Sequence, residues 1–255
     1  MSRKKIDLLV IVILLSLGAI LSLALSLKAL NAGLVYLVPA SVYLMLRERK
    51  NYQKIFLGTL VFGLLFGFFF DFIETYSGAW TVVNLVIPYK VLGVLPVDDM
   101  IGFVLMTLFT FLFYEHFLDD ERTKRLSSGL SQALFIGAVL VIFTIVMFIA
   151  DPLSMSISHA YLKGGLAALI FPIIFSWRNP KIIGKFAILS LFFFFVWLVA
   201  EVIAVKNGNW IYPGQYVGWV NVFGVTFPLE ELFFWALCYS ATITAFYERF
   251  IDDGK

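Results

Sequence analysis

The chain has 255 residues, of which 61% are hydrophobic and 14% charged, with a formal net charge of +2 and a mean hydropathy of +0.94. That composition excludes an ordinary water-soluble domain. The small positive balance calls for no nucleic-acid partner, and the single cysteine, Cys238, cannot form an intrachain disulfide.

Apolar runs of about 17–25 residues are long enough to cross a bilayer as helices. Eight such runs follow one another, over residues 6–27, 30–46, 55–76, 97–118, 130–150, 161–177, 182–205 and 229–251. The first follows Arg3, Lys4 and Lys5 as a signal peptide would. Its apolar stretch is too long for one, so it is expected to stay as a membrane helix. The predicted class is all-α, a polytopic bundle of eight transmembrane helices. With eight spans the loops alternate sides. Fifteen of the 19 Lys and Arg residues then share one side, and only Lys28, Lys90, Lys163 and Lys206 fall on the other. The positive-inside rule predicts an integral protein of the cell membrane with both termini cytoplasmic.

Two stretches about 130 residues apart carry matching residues. The first has Asp71, Gly78, Trp80, Pro96, Asp98, Asp99, Tyr114, Glu115 and Asp119-Asp120. The second has Glu201, Gly208, Trp210, Pro228, Glu230, Glu231, Tyr247, Glu248 and Asp252-Asp253. Upstream, Pro39 and Arg47 answer Pro172 and Arg178. This predicts two parallel four-helix repeats, residues 1–125 and 126–255, in one membrane domain. The polar connector 119–129 joins them. In both, the loop before the last helix is apolar and aromatic, with Trp80, Pro88 and Tyr89 in one and Tyr212, Tyr216 and Trp219 in the other. These loops read either as aromatic belts at headgroup depth or as a lid over a pocket between the repeats.

Asp71, Glu74, Asp98, Asp99, Asp151, Glu201, Glu230 and Glu231 are expected on the outer side, against four lysines. Asp71 and Glu74, spaced i, i+3, share a helix face, and Ala204 stands where the second copy would repeat Glu74. A proline followed by acids is also an ordinary helix start. Two consecutive acids in both copies, with further acids at the preceding helix ends, suggest more. Carboxyls gathered out of water hold protons to higher pH, and a protonated acid beside an ionised one is a general acid–base pair. Aromatic faces at Trp80, Phe103, Trp210, Phe234 and Trp235 suit a carbocation on an apolar substrate. No metal site is expected, because His116 and His159 fall on opposite sides. No cofactor is expected either, in the absence of a glycine-rich dinucleotide fingerprint.

The block Gly208-Asn209-Trp210-Ile211-Tyr212 followed by Pro228-Leu229-Glu230-Glu231-Leu232-Phe233-Phe234 resembles the lycopene cyclase domain of archaea, some bacteria and fungi. The resemblance spans both repeats. The first copy departs from it in having Asp98-Asp99 for glutamates and Gly102 where an aromatic is usual. The resemblance implies redox-neutral cyclisation of an acyclic carotenoid drawn from the bilayer. Surrounding membrane lipid and no obligatory partner subunit are implied with it. It also implies that Glu230 and Glu231 act as acid and base, with Asp98 and Asp99 as the matching pair and Asp71 and Glu201 tuning them. An enzyme of another polyprenoid lipid, and a non-enzymatic carotenoid-binding or transport protein, stay open as alternatives.

Overall fold

The computed structural model describes residues 3–47, 51–119 and 125–252. Arg49, Lys50, Arg122, Lys124 and Lys255 of the charge pattern, Asp120 and Asp253 of the matched stretches, and residues 120–124 of the connector lie outside the described residues. The protein is a helical membrane bundle, and among the described residues seven helices are long and apolar enough to span. In lipid the backbone must bond to itself, and these runs do so as helices. They are α1 (Arg3–Ala24), α2 (Ala29–Arg47), α3 (Tyr52–Tyr76), α4 (Val97–Phe117), α5 (Leu130–Ala150), α6 (Ala160–Arg178) and α7 (Ile182–Lys206). The eighth expected span is composite: a π-helical stretch, Glu231–Cys238, runs into an α-helix, Tyr239–Phe250, and together they form α8. The middle of α3, Thr59–Phe66, is π-helical as well. Such stretches are rare and frequently occur at functional sites.

Helix α1 lies along α2 and also touches α7, while α2 packs along α4. The π-helical part of α3 packs on α4, and that of α8 packs on α7. Helix α5 packs on α3 but does not lie side by side with α6. Trp197, Phe193, Phe109 and Phe111 fill the centre of the core.

Short strands shape the two long loops. β1 (Thr81–Val82) pairs antiparallel with β4 (Trp210–Ile211), placing Thr81 opposite Ile211, each the residue after a tryptophan. β2 (Lys90–Val91) pairs with β3 (Leu95–Pro96), and β5 (Trp219–Val222) with β6 (Val225–Pro228). The β5–β6 turn sets Phe223 and Gly224 at φ 52° and 79°, the left-handed pair of a tight hairpin. Both loops close one end of the bundle, here called the loop end.

At the opposite end buried polar groups tie the halves together reciprocally. The Tyr114 hydroxyl donates to Glu248, and the Tyr247 hydroxyl donates to Glu115. The Lys54 ammonium bonds Asp252, while Lys185 lies 3.6 Å from Asp119. Each contact is matched by its converse, the pattern of a two-fold interface. Nearby, Asp7 accepts from Tyr43 (2.6 Å) and from Arg47 Nε (2.9 Å).

Candidate active site

The acids of the loop end come from four helix termini. Asp71 and Glu74 sit one turn apart near the end of α3, and Glu201 sits near the end of α7. Asp98 and Asp99 open α4 after Pro96, which stands in extended geometry at φ −61°, ψ 137°. Glu230 and Glu231 open α8 after Pro228. Proline enters a helix readily here because no partner exists for its missing N–H.

The two members of each pair do different things. The Asp98 carboxylate accepts the backbone N–H groups of Val86 (2.6 Å) and Ile87 (3.0 Å). Glu230 accepts the N–H of Val217 at 2.6 Å. The first acid of each pair therefore clips its own loop to the helix start. The second acid, Asp99 or Glu231, lines a cavity, with one carboxylate oxygen buried and unbonded.

Behind each cavity-facing acid stands another. Glu201 accepts from the Tyr212 hydroxyl at 2.6 Å and from the Trp210 indole at 3.3 Å, and it neighbours Glu231. Burial, with the Glu201 carboxylate beside it, pushes the Tyr212 phenol up, so this hydroxyl stays a donor. Asp71 accepts from Thr75 at 3.3 Å and lies near Asp99, and the Trp80 indole donates to Thr75 Oγ1 at 3.0 Å. Among the described residues, Asp71 Oδ2, Asp99 Oδ2, Glu201 Oε2, Glu230 Oε2 and Glu231 Oε2 are buried without a hydrogen-bond partner.

The loops form a roof over this group. The Tyr216 hydroxyl donates to the Ala79 carbonyl, Asn84 Nδ2 donates to the Gly208 carbonyl at 2.8 Å, and the Val83 N–H donates to the Asn209 carbonyl at 2.8 Å. Each bond joins one loop to the other.

Two apolar cavities lie beneath. One, about 830 Å³ with its open mouth, runs between α3, α6 and α8. The other, about 950 Å³, lies between α2, α4 and α7 and holds Asp98, Asp99 and Glu231 at its loop end. Trp80, Phe103 and Trp235 line both cavities and partition them. Their ring centroids are 6.2 Å (Trp80–Phe103), 5.3 Å (Phe103–Trp235) and 6.2 Å (Trp80–Trp235) apart. Among the described residues no Lys, Arg or His lines either space.

Of the residues expected from sequence, Asp98, Asp99, Glu231, Trp210, Trp80, Phe103 and Trp235 line the α2–α4–α7 cavity. Phe234 lines the other. Asp71, Glu201 and Glu230 stand behind the walls. Two residues outside the expected set also belong to the site. Tyr161 at the start of α6 neighbours Glu231, and Glu74 faces the α3–α6–α8 cavity. The i, i+3 spacing from Asp71 was the only sequence signal for Glu74, and none pointed to Tyr161.

At the far end, Glu115, Asp119 and Asp252 bring carboxylate oxygens within 4.8 Å of one another. Lys54 bonds Asp252 there and supplies the compensating charge. Compared with protein-family models, curated proteins and solved structures, the chain matches none.

Proposed function

We propose that the protein is an enzyme of the cell membrane, with both termini cytoplasmic, that cyclises the end group of an acyclic polyprenoid without redox change. In the form the resemblance gives it, lycopene becomes a β-ring carotene. The supporting observation is Glu231 and Asp99 facing one apolar cavity that, among the described residues, no Lys, Arg or His lines, each acid backed by a second buried acid. A protonated Glu231 adds its proton to the terminal double bond. The tertiary cation so formed lies against Trp235, Phe103 and Trp80, whose faces attract positive charge. An internal double bond attacks it and closes the ring. Asp99 then removes a ring proton, restoring a double bond; it passes that proton on through Asp71, and Glu231 is reprotonated through Glu201, so both acids end as they began. One proton enters and one leaves, so the reaction is an isomerisation. Asp98 and Glu230 position the helix starts through the loop amides. A dry, preorganised site makes such charge stabilisation strong. The test is expression in a lycopene-accumulating bacterium followed by pigment chromatography. Monocyclic or bicyclic carotene is expected, and unchanged lycopene with folded protein in the membrane refutes the reading.

A further inference from the structure

The two apolar cavities lie between matching helices. Helices α2, α4 and α7 border one, and α6, α8 and α3, which carry the matching residues, border the other. They are filled differently. A Cβ added at Gly164 would lie 2.7 Å from Glu74 Oε1, and one at Gly165 would lie 2.4 Å from the Phe234 ring. Both side chains therefore rest on the α6 backbone, and the α3–α6–α8 cavity is partly plugged by its own walls.

The α2–α4–α7 cavity lacks both plugs. Glu74 follows Asp71 by three residues as Ala204 follows Glu201, and Phe234 follows Glu231 by three as Gly102 follows Asp99. Ala204 and Gly102 both line this cavity. A Cβ added at Gly102, or at Gly33 on the α2 wall, meets no atom within 4 Å. The recess at Gly102 is thus the counterpart of the place where the other cavity holds a phenyl ring.

Helix register separates the two cavities in the same sense. From Lys54 to Asp71 is 17 residues, against 16 from Lys185 to Glu201. From Glu231 to Tyr247 is 16 residues, against 15 from Asp99 to Tyr114. An extra residue is what a turn of i→i+5 bonding takes up. The π-helical stretches Thr59–Phe66 and Glu231–Cys238 fall inside the two longer segments, and both border the plugged cavity. Their counterparts in α7 and α4 are regular α-helix. The departures from two-fold likeness therefore gather around the plugged cavity and leave the other with straight walls.

Gly102 also stands beside the acids. It lies one turn into α4 from Asp99 on the same helix face, about 4.5 Å deeper at 1.5 Å per residue. Glu231, 2% exposed and with Oε2 buried and unbonded, lines the same cavity.

We infer that Gly102 is the specificity-determining residue of the site: the recess left by its missing side chain seats the folded end group of the polyprenoid. This rests on the cyclisation reading above. An extended end is no wider than the rest of the chain. To close, it must coil until an internal double bond reaches the cation, and the coiled end is as wide as a six-membered ring. With a large side chain at position 102 the extended chain still lies in the cavity, but its end cannot coil and the near-attack geometry is lost.

The experiment measures binding and turnover with the purified full chain in detergent. Binding of lycopene and of β-carotene is read from quenching of tryptophan fluorescence, since Trp80, Trp197, Trp210 and Trp235 line the cavity. Gly102→Phe should lower ring formation at least tenfold and weaken β-carotene binding at least tenfold, while lycopene binding stays within threefold of wild type. Gly102→Leu should give the same pattern at fivefold or more, so the test does not hang on the folding of one variant. Gly102→Ala should keep at least half the activity, and Gly184→Phe, at an exposed position of α7, should change nothing. Loss of both ligands alike in the Phe and Leu variants, or full activity in them, overturns the proposal. Wild-type ring formation with indifferent Gly102 variants refutes this inference alone. Wild-type protein that binds lycopene and forms no ring refutes the cyclisation reading, and this inference with it.

Discussion

At the scale of single residues, neighbours in sequence have opposite duties. Asp98 holds two loop amides and Glu230 holds one, while Asp99 and Glu231 line the cavity and spend no oxygen on a loop amide. Glu231→Gln keeps size and polarity but cannot donate a carboxylic proton. It should abolish ring formation while the thermal unfolding midpoint stays near wild type; normal carotene in that variant contradicts the assignment. Hydrogen bonds to a charged group contribute about 1.5–3 kcal/mol each. Asp98→Ala should therefore destabilise by about 3–6 kcal/mol and Glu230→Ala by about half as much, as read by denaturant titration in detergent. Equal effects would show that the amide bonds do not set the difference. The pairs themselves are plain in the sequence, but the division of labour is not, because it depends on where Val86, Ile87 and Val217 run. Tyr161 lay hidden for the same reason: a tyrosine at a helix start gives no sign that it meets an acid of α8.

At the scale of elements, seven of the eight expected spans are continuous helices within a few residues of their expected limits. Apolar length determines a membrane helix almost by itself. The π-helical stretches in α3 and α8 left no such mark, since one wide turn among uniformly apolar residues does not alter a hydropathy profile. The hairpins were equally silent: Val225–Pro228 reads as apolar loop until its pairing with Trp219–Val222 is seen. The wide turns of α8 set the angle between Glu231 and the face carrying Tyr239 and Ile243. Deleting Leu237 should tighten the stretch towards α-helix and rotate Glu231 by about 100° against that face. The variant should still insert in the membrane but lose cyclisation; retained activity would show the π geometry to be incidental.

At the scale of the whole molecule, polar chemistry is concentrated at the two ends of an apolar bundle, and at each end groups of one half meet those of the other. Over the loop end the strands β1 and β4 and the Tyr216–Ala79 bond join the roof. At the far end the crossed tyrosine–glutamate bonds act as a clasp. Lys54 is buried at 1% exposure, whereas the Lys185 side chain is 27% exposed and 3.6 Å from its partner. Breaking a buried ion pair costs about 3–5 kcal/mol, and an exposed one about 0–1 kcal/mol. Lys54→Met should accordingly destabilise far more than Lys185→Met in the same denaturant assay; similar losses would refute a clasp centred on Lys54.

Cyclisation started by a carboxylic proton is tested most directly by running the reaction in heavy water. The buried acids exchange with solvent before substrate binds, so each ring formed should gain one deuterium, read as a mass increase of one per ring in the carotene. Cyclic product without deuterium, or no cyclic product from folded protein and lycopene, would contradict proton-initiated cyclisation at Glu231.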